Sequence, residues 1–399
     1  MKTPAGPRSR EGETSRGGVL IESVEIQTPA RRIARGSILM RGGRIAAIGP
    51  SARPARTRAG AEVVDGRGLI AVPGFVDIHL HGGGGADFMD ATPEAVARAL
   101  RAHLRRGTTS VVPTLMTAPH AGILAAVRAV RAVALGAVRG PLPEILGLHL
   151  EGPYIAADKR GAQPLEAIRT FKAGEMRAYI AAADPLPIRI VTLAPEKPRA
   201  AALVAFLVER GILASAGHST ATFAQAAAGL RAGIRHGTHL FNAMTGLFHR
   251  DPGLAGALLL DDRASVELIA DGLHLHPAIV DLVLRLKPAG DVVLVTDATR
   301  RAGRGSRPLR TADGKLYGSA ITLDVALRNL VRWTGRPLGE VLPLLTANPA
   351  RVLGLGRRKG RLAAGADADV VLLDGGLNVR RVFLGGREVP AAPGGGSTA

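Results

Sequence analysis

Seven residues place a ligand-type or proton-carrying side chain at the end of a short apolar run: His79, His81, Glu151, His218, His239, His274 and Asp297. The runs read FVDIHLH, TSVVPTL, EILGLHLEGP, IRIVTLAPE, ILASAGHS, RHGTHLFNAM, SVELIADGLH and DVVLVTDA. Several imidazoles, one carboxylate in mid-series and another on the last run are the parts of a site that holds a cation and makes water a nucleophile. The sequence has no cysteine, so such a cation would see only nitrogen and oxygen ligands.

Spacing sharpens these candidates unevenly. His79 and His81 are two apart, so on a strand both imidazoles face the same side. Metal ligation and a polar strand end before the turn GGGG both fit. Glu151 follows His149 by two residues and precedes Gly152 and Pro153; there a carboxylate can bridge two cations, ligate one, or serve as a salt-bridge partner. His218 and His239 could each be structural histidines, but their arrival at the ends of successive runs favours ligation. His236, three residues before His239, is expected outside the ligand set. Asp297 in VLVTDAT suits a general base and acid beside activated water, or a helix cap. His274 in DGLHLHP could donate to an oxyanion, with His276 peripheral.

Residues so far apart in sequence meet only if the fold gathers the ends of the runs. Helical patterns such as TPEAVARALRAHLRRG, HAGILAAVRAVRAVAL, PRAAALVAFLVERG, ATFAQAAAGLRAG and HPAIVDLVLRLKPAG alternate with the runs. Alternation with short connections signals parallel βαβ units. Eight of them predict an α/β fold of the (β/α)8 TIM-barrel type, whose strand ends share one mouth. Two further helices, LDVALRNLVRWTG and PLGEVLPLLTANPARVLG, follow the eighth run. Outside the barrel, glycine-punctuated β-type stretches (SVEIQT, RRIARGSILMRGGRIAAIG, AEVVDGRGLI) return near the end as ADADVVLLD and VRRVFLGGREV. They predict a small antiparallel β-domain, of sandwich type, built from both ends of the chain. The expected divisions are a disordered extension over 1–18, the β-domain over 19–72 and 360–390, the barrel over 73–359, and a disordered tail over 391–399.

The net charge of +19, from 52 basic and 33 acidic residues, admits a polyanionic partner or a basic surface that attracts anionic small molecules. Aromatic residues are only 3% of the chain, which argues against base-stacking platforms. The arginines are scattered through helices and the two clusters TRRAGRGSRPLR and RRKGR, so nucleic acid is not the expected partner. No apolar run reaches 18 residues, and the first 18 lack the apolar core of a signal peptide. A cytoplasmic protein without a membrane segment is expected.

Taken together, PGFVDIHLHG, LGLHLEGPYI, VTLAPE, SAGHS, THLFNAM, PGLAGA, ADGLHLHP and VTDAT resemble the N-acetylglucosamine-6-phosphate deacetylases of the amidohydrolase superfamily, from Val19 to about Val389. His-x-His and the barrel are shared by amidohydrolases at large, whereas HLEGP with THLFNAM and DGLH is particular to this family. The resemblance implies metal-dependent release of acetate from an amino-sugar phosphate, giving glucosamine 6-phosphate. It implies Glu151, His218 and His239 as core metal ligands, and His79 and His81 as ligands of a second ion in those members that bind one. One or two divalent ions per subunit, zinc or iron, are expected. Asp297 matches the catalytic acid and base, and His274 the residue that orients the substrate amide. Ala162, Gln163, Asn242, Ala243, Arg250, His274, Tyr317 and Gly318 match substrate contacts. Arg250 matches an arginine that reaches the phosphate bound by a neighbouring subunit, which implies a homodimer, although from the sequence alone it is one more surface arginine.

Two departures stand out. Gln163 occupies a position where the family has a histidine, a neutral amide in place of a potential cation, which keeps another amino-sugar phosphate, of galactosamine type, open as substrate. The segment from Thr299 to Tyr317 is short and basic, and Arg300, Arg301, Arg304 and Arg307 could act as phosphate donors. Dihydroorotase-like amidohydrolases commonly use a carboxylated lysine, and no lysine ends the third or fourth run here. From a different class, the charge alone would suggest a nucleic-acid-binding or scaffold protein on an amidohydrolase barrel.

Overall fold

The eight runs fold into eight barrel strands. In this computed structural model, which describes residues 18–28, 31–50, 60–304, 309–311 and 314–390, they are Phe75–Leu80, Thr108–Met116, a third in two pieces (Glu144–Ile145 and Leu148–Glu151), Ile188–Leu193, Leu213–Ala216, His236–Gly237, Ser265–Ile269 and Val292–Val295. The extension and tail expected to be disordered lie, Gly18 apart, outside the described residues, as does Arg307.

Every neighbouring pair in the barrel is parallel, with registers such as His149 beside Thr114, Glu151 beside Thr192 and Ile269 beside Val295. The first and last strands close the ring where Asp297 N donates to His79 O at 2.8 Å and His81 N to Ala298 O at 2.7 Å. All nine residues of Thr108–Met116 are buried, as befits a strand covered by helices on one face and the barrel interior on the other.

The helices show why some elements are legible and others are not. Pro93–Leu104 starts on a Thr92 cap that accepts from Ala95 N, with proline in its first turn, and buries one apolar face. Two helices absent from the sequence reading, Ala173–Ala183 and Gly253–Leu260, complete the outer ring. The second is buried along nearly its whole length and so has no polar face to give it a period. The last expected helix is broken into Leu338–Val341, a 3-10 turn Leu342–Leu345 and Ala347–Val352, with Pro343 and Pro349 inside the stretch.

Alternate residues of the strands share a face, so Val112, Ile190, Ile269, Val293 and Val295 look into the barrel like Thr114, Thr192 and Glu267. Together with Leu146 and Leu353 these apolar side chains form one cluster, which floors the polar mouth.

The two chain ends share one eight-stranded sheet in the order Arg387–Glu388, Val379–Leu384, Val370–Leu373, Ile70–Pro73, Val19–Gln27, Arg32–Arg41 and Arg44–Pro50, with Glu62–Asp65 also beside Val19–Gln27. The sheet is mixed, not antiparallel throughout as expected, because Val19–Gln27 runs parallel to both Glu62–Asp65 and Ile70–Pro73. It packs over its own apolar cluster of Ile21, Ile38, Met40, Val370 and Phe383 among others. A buried lysine ties it to the barrel: Lys359, 3% exposed, meets Glu144 of the third strand at 2.6 Å and Asp367 and Asp369 at 2.9 and 2.7 Å.

Candidate active site

Four imidazoles and two carboxylates converge at the C-terminal mouth of the barrel. Glu151 Oε1 lies 3.1 Å from both His218 Nε2 and His239 Nε2 and 3.3 Å from His79 Nε2. His81 Nε2 lies 3.3 Å from Glu151 Oε2 and 3.1 Å from Asp297 Oδ1, and His79 Nε2 lies 3.5 Å from the same Asp297 oxygen. All six residues are buried.

The tautomers reveal what this arrangement wants. Main-chain carbonyls and carboxylates accept and cannot donate, so His218 Nδ1 donates to Lys159 O at 2.8 Å, His81 Nδ1 to Thr114 O at 3.1 Å and His79 Nδ1 to Glu267 Oε2 at 2.8 Å. The neutral rings therefore aim bare Nε2 lone pairs at carboxylate lone pairs. His218 Nε2 and His239 Nε2 face each other at 3.0 Å, and His79 Nε2 is buried with no hydrogen-bond partner. For His79, His81 and His218, lone pairs converging on lone pairs are satisfied by a cation or by added protons, and outward donation from Nδ1 is the usual way a protein fixes a metal-binding histidine; His239 Nδ1 has no partner among the described residues. Three groups of potential ligands result among the described residues, Glu151 with His218 and His239, His79 with His81 and Asp297, and His79 with His149 and Glu267, of which the first two hold the converging Nε2 atoms. The donor set of imidazole and carboxylate suits a divalent transition ion.

The charges agree. Burial alone would raise the pKa of Glu151, yet His218 and His79 hold it well below the usual carboxylate range. Asp297 is likewise lowered, burial being outweighed by His79 and His81. Conversely, burial opposes a charge on His81, but Asp297 and Glu151 push it up to about 10, and His79 is raised by Glu267, Glu151 and Asp297. Without a cation, protons take its place.

The backbone is bent to make this possible. His218, His239 and Asp297 have φ of 48°, 32° and 47°, left-handed values that cost a non-glycine residue on the order of 1–3 kcal/mol each. Each lies just past its strand, and the reversal turns the side chain into the mouth. Gly318, itself at φ 52°, passes so close that a Cβ there would lie 2.5 Å from the Asp297 carbonyl oxygen.

Around this centre the other candidates divide. His274 Nδ1 donates to Asp271 Oδ2 at 2.8 Å, while Asp271 Oδ1 takes the main-chain N–H groups of Leu273 and His274. Burial lowers the His274 pKa, but the Asp271 hydrogen bond and charge, helped by Asp297, leave it raised. The raised value favours the imidazolium, the form in which Nε2 has a proton to donate. Gln163 is buried against Glu151, its Nε2 donating to Glu151 Oε2 at 2.5 Å and its Oε1 accepting from Thr117 N at 2.7 Å. Both ends of the amide are committed, so Gln163 steadies the glutamate. Ala162 precedes it in a half-buried turn. Asn242 directs its Nδ2 to the carbonyls of His239 and Leu240, and Ala243, at φ 49°, accepts from Ser219 N through its carbonyl. Tyr317 rests its hydroxyl on Met116 Sδ in the small hairpin Leu309–Arg310 and Leu316–Tyr317, and Arg300 pairs with Asp90. Arg250 is exposed, as are Leu247 and Phe248 shortly before it. His236 is buried on Glu267, and exposed His276 caps the helix Pro277–Leu286.

Three contributors escaped the sequence reading. Glu267 was legible only as a charged residue inside the apolar run SVELI, Asp271 only by its place three before His274, and the Lys159 carbonyl not at all.

Comparison with known proteins decides the lineage. The model of the amidohydrolase family matches residues 70–389. The chain belongs to the amidohydrolase family. Among the relatives of this amidohydrolase, the human N-acetylglucosamine-6-phosphate deacetylase is 38% identical over 90% of this chain and 92% of its own length. An N-acetylgalactosamine-6-phosphate deacetylase of Escherichia coli O157:H7 is 38% identical over 80% of this chain and 87% of its own. Of solved structures, a mutant of the Mycobacterium smegmatis N-acetyl-D-glucosamine-6-phosphate deacetylase in complex with N-acetyl-D-glucosamine-6-phosphate superposes with a TM-score of 0.86 at 34% identity, covering 94% of this chain and all of that one. No helix among the described residues is long and apolar enough to cross a membrane.

Proposed function

We propose that this amidohydrolase is a metal-dependent deacetylase that hydrolyses N-acetyl-D-glucosamine 6-phosphate to D-glucosamine 6-phosphate and acetate. The observation that carries the reading is the convergence of four imidazole Nε2 atoms on Glu151 beside Asp297, in a chain matched over nearly its whole length by deacetylases. Glu151, His218 and His239 hold one divalent ion, and His79 and His81 with Asp297 provide for a second; zinc or iron suits these ligands. When bound, such an ion polarises the amide carbonyl and acidifies water.

The chain's own groups do the rest. Asp297, held ionised by its neighbours, takes a proton from the attacking water and returns it to the amine nitrogen as the C–N bond breaks. His274, locked by Asp271, donates from Nε2 to the oxygen on which negative charge grows. Gln163 keeps Glu151 in place. Ala162, Asn242, Ala243, Tyr317 and Gly318 line the approach to the sugar phosphate.

Arg250 reaches the phosphate of a neighbouring subunit in a homodimer. Its exposure supports this role, as do the adjoining exposed Leu247 and Phe248, the latter 67% accessible, which a partner would cover. A cytoplasmic setting fits a substrate whose phosphate charge bars it from crossing lipid.

Metal analysis of the purified protein, coupled to acetate release from N-acetylglucosamine and N-acetylgalactosamine with and without the 6-phosphate, tests the assignment. Bound metal with turnover of the phosphorylated glucosamine substrate is expected. Preference for the galactosamine epimer would reassign the substrate, and absence of metal with no acetate release would overturn the reading.

A further inference from the structure

Glu267 takes no part in the chemistry above, yet it is fully buried and satisfies three separate donors. Its Oε2 accepts from His79 Nδ1 at 2.8 Å and from the main-chain N–H of His239 at 3.0 Å; its Oε1 accepts from His236 Nε2 at 3.1 Å. One carboxylate on the seventh strand thus grips the side chain of one proposed ligand and the backbone of another, from opposite ligand groups. His236 in turn hydrogen-bonds through Nδ1 to the Ser265 hydroxyl at 2.6 Å, so the support behind Glu267 is itself held at both ring nitrogens.

Glu267 is not itself a ligand. Its Oε2 accepts from His79 Nδ1 and His239 N and its Oε1 from His236 Nε2, and the His79 nitrogen that faces it carries the proton of that hydrogen bond, so these atoms are committed to one another. The nearby His149 has both nitrogens engaged, by Thr114 Oγ1 at 3.3 Å and Thr192 Oγ1 at 2.7 Å. Among the described residues Glu267 is the hydrogen-bond partner of the His79 ring, whose Nε2 has none.

We propose that Glu267 is the positioning residue that creates the His79, His81 and Asp297 half of the centre, by fixing the His79 tautomer and tying that ring to the backbone of His239. The inference rests on the metal-centre reading. It assigns to Glu267 control over the second ion, while the ion on Glu151, His218 and His239 is held by side chains Glu267 does not touch.

The test is zinc titration of the full-length, metal-stripped protein by calorimetry, with elemental analysis after dialysis. Wild type should bind two ions per subunit, and Glu267→Leu one, with kcat falling and KM held. Glu267→Gln retains an acceptor for His79 and should bind both, the second weakened by about tenfold, the lower end of effects seen for such supporting groups. Two ions bound with wild-type affinities by Glu267→Leu would overturn the proposal, as would a single ion in wild type. Should Glu267→Leu not fold, an unchanged second affinity in Glu267→Gln overturns it instead. A wild type that binds no zinc would sink the metal-centre reading beneath it, a result distinct from the others.

Discussion

At the level of single residues, the proposed mechanism gives the proton transfers to Asp297 and the oxyanion to His274. Replacing Asp297 by Asn removes the base while keeping the shape, so kcat should drop by about 10²–10⁴ while substrate affinity, read by equilibrium binding, changes little. His274 makes a pH prediction. Its folded pKa is raised above 6.5 by Asp271, so the imidazolium predominates below 6.5 and is lost as pH rises through the folded value. Activity should therefore fall on an alkaline limb, and Asp271→Asn, by removing the main partner, should move that limb to lower pH in a kcat/KM profile; an unmoved limb would dissociate it from His274. Sequence patterns exposed the ligand candidates because imidazoles at strand ends are conspicuous. They could not expose Glu267, whose strand places it among Val266 and Leu268 like any interior residue, nor a main-chain acceptor such as Lys159 O, which has no side-chain signature.

Among the elements, the eight strands were readable because each is a short apolar run closed by a turn, and the barrel followed from their alternation with amphipathic helices. The helix Gly253–Leu260 was not, since an apolar stretch buried all round carries no helical period. The mixed pairing of the terminal sheet was hidden for a related reason: alternation specifies a strand's faces but not the direction of its neighbours. Two predictions belong here. Gly318→Ala would put a methyl group against the Asp297 carbonyl at a left-handed position, so turnover should fall more than thermal stability. Lys359→Met would take the buried cation from Asp369, while Glu144 and Asp367 keep Arg358, and denaturant unfolding should show a loss of about 3 kcal/mol, the low end for removing one member of a buried ion pair.

For the molecule as a whole, the dimer proposed from Arg250 predicts complementation. Arg250→Ala and Asp297→Asn subunits, each poor alone, should regain turnover when unfolded and refolded together, because the mixed dimer contains one mouth with both groups; no recovery would place Arg250 outside any shared site. The terminal sheet has a further consequence, for synthesis. The strand Ile70–Pro73 pairs with Val370–Leu373, which the ribosome delivers only after the entire barrel. With nearly 300 residues between them and elongation at about 5–20 residues per second, the nascent chain carries an unpaired sheet edge for roughly 15–60 s. Truncated nascent chains that end within the barrel should therefore be the species that chaperones hold, and the strands translated after the barrel act as a seal on it.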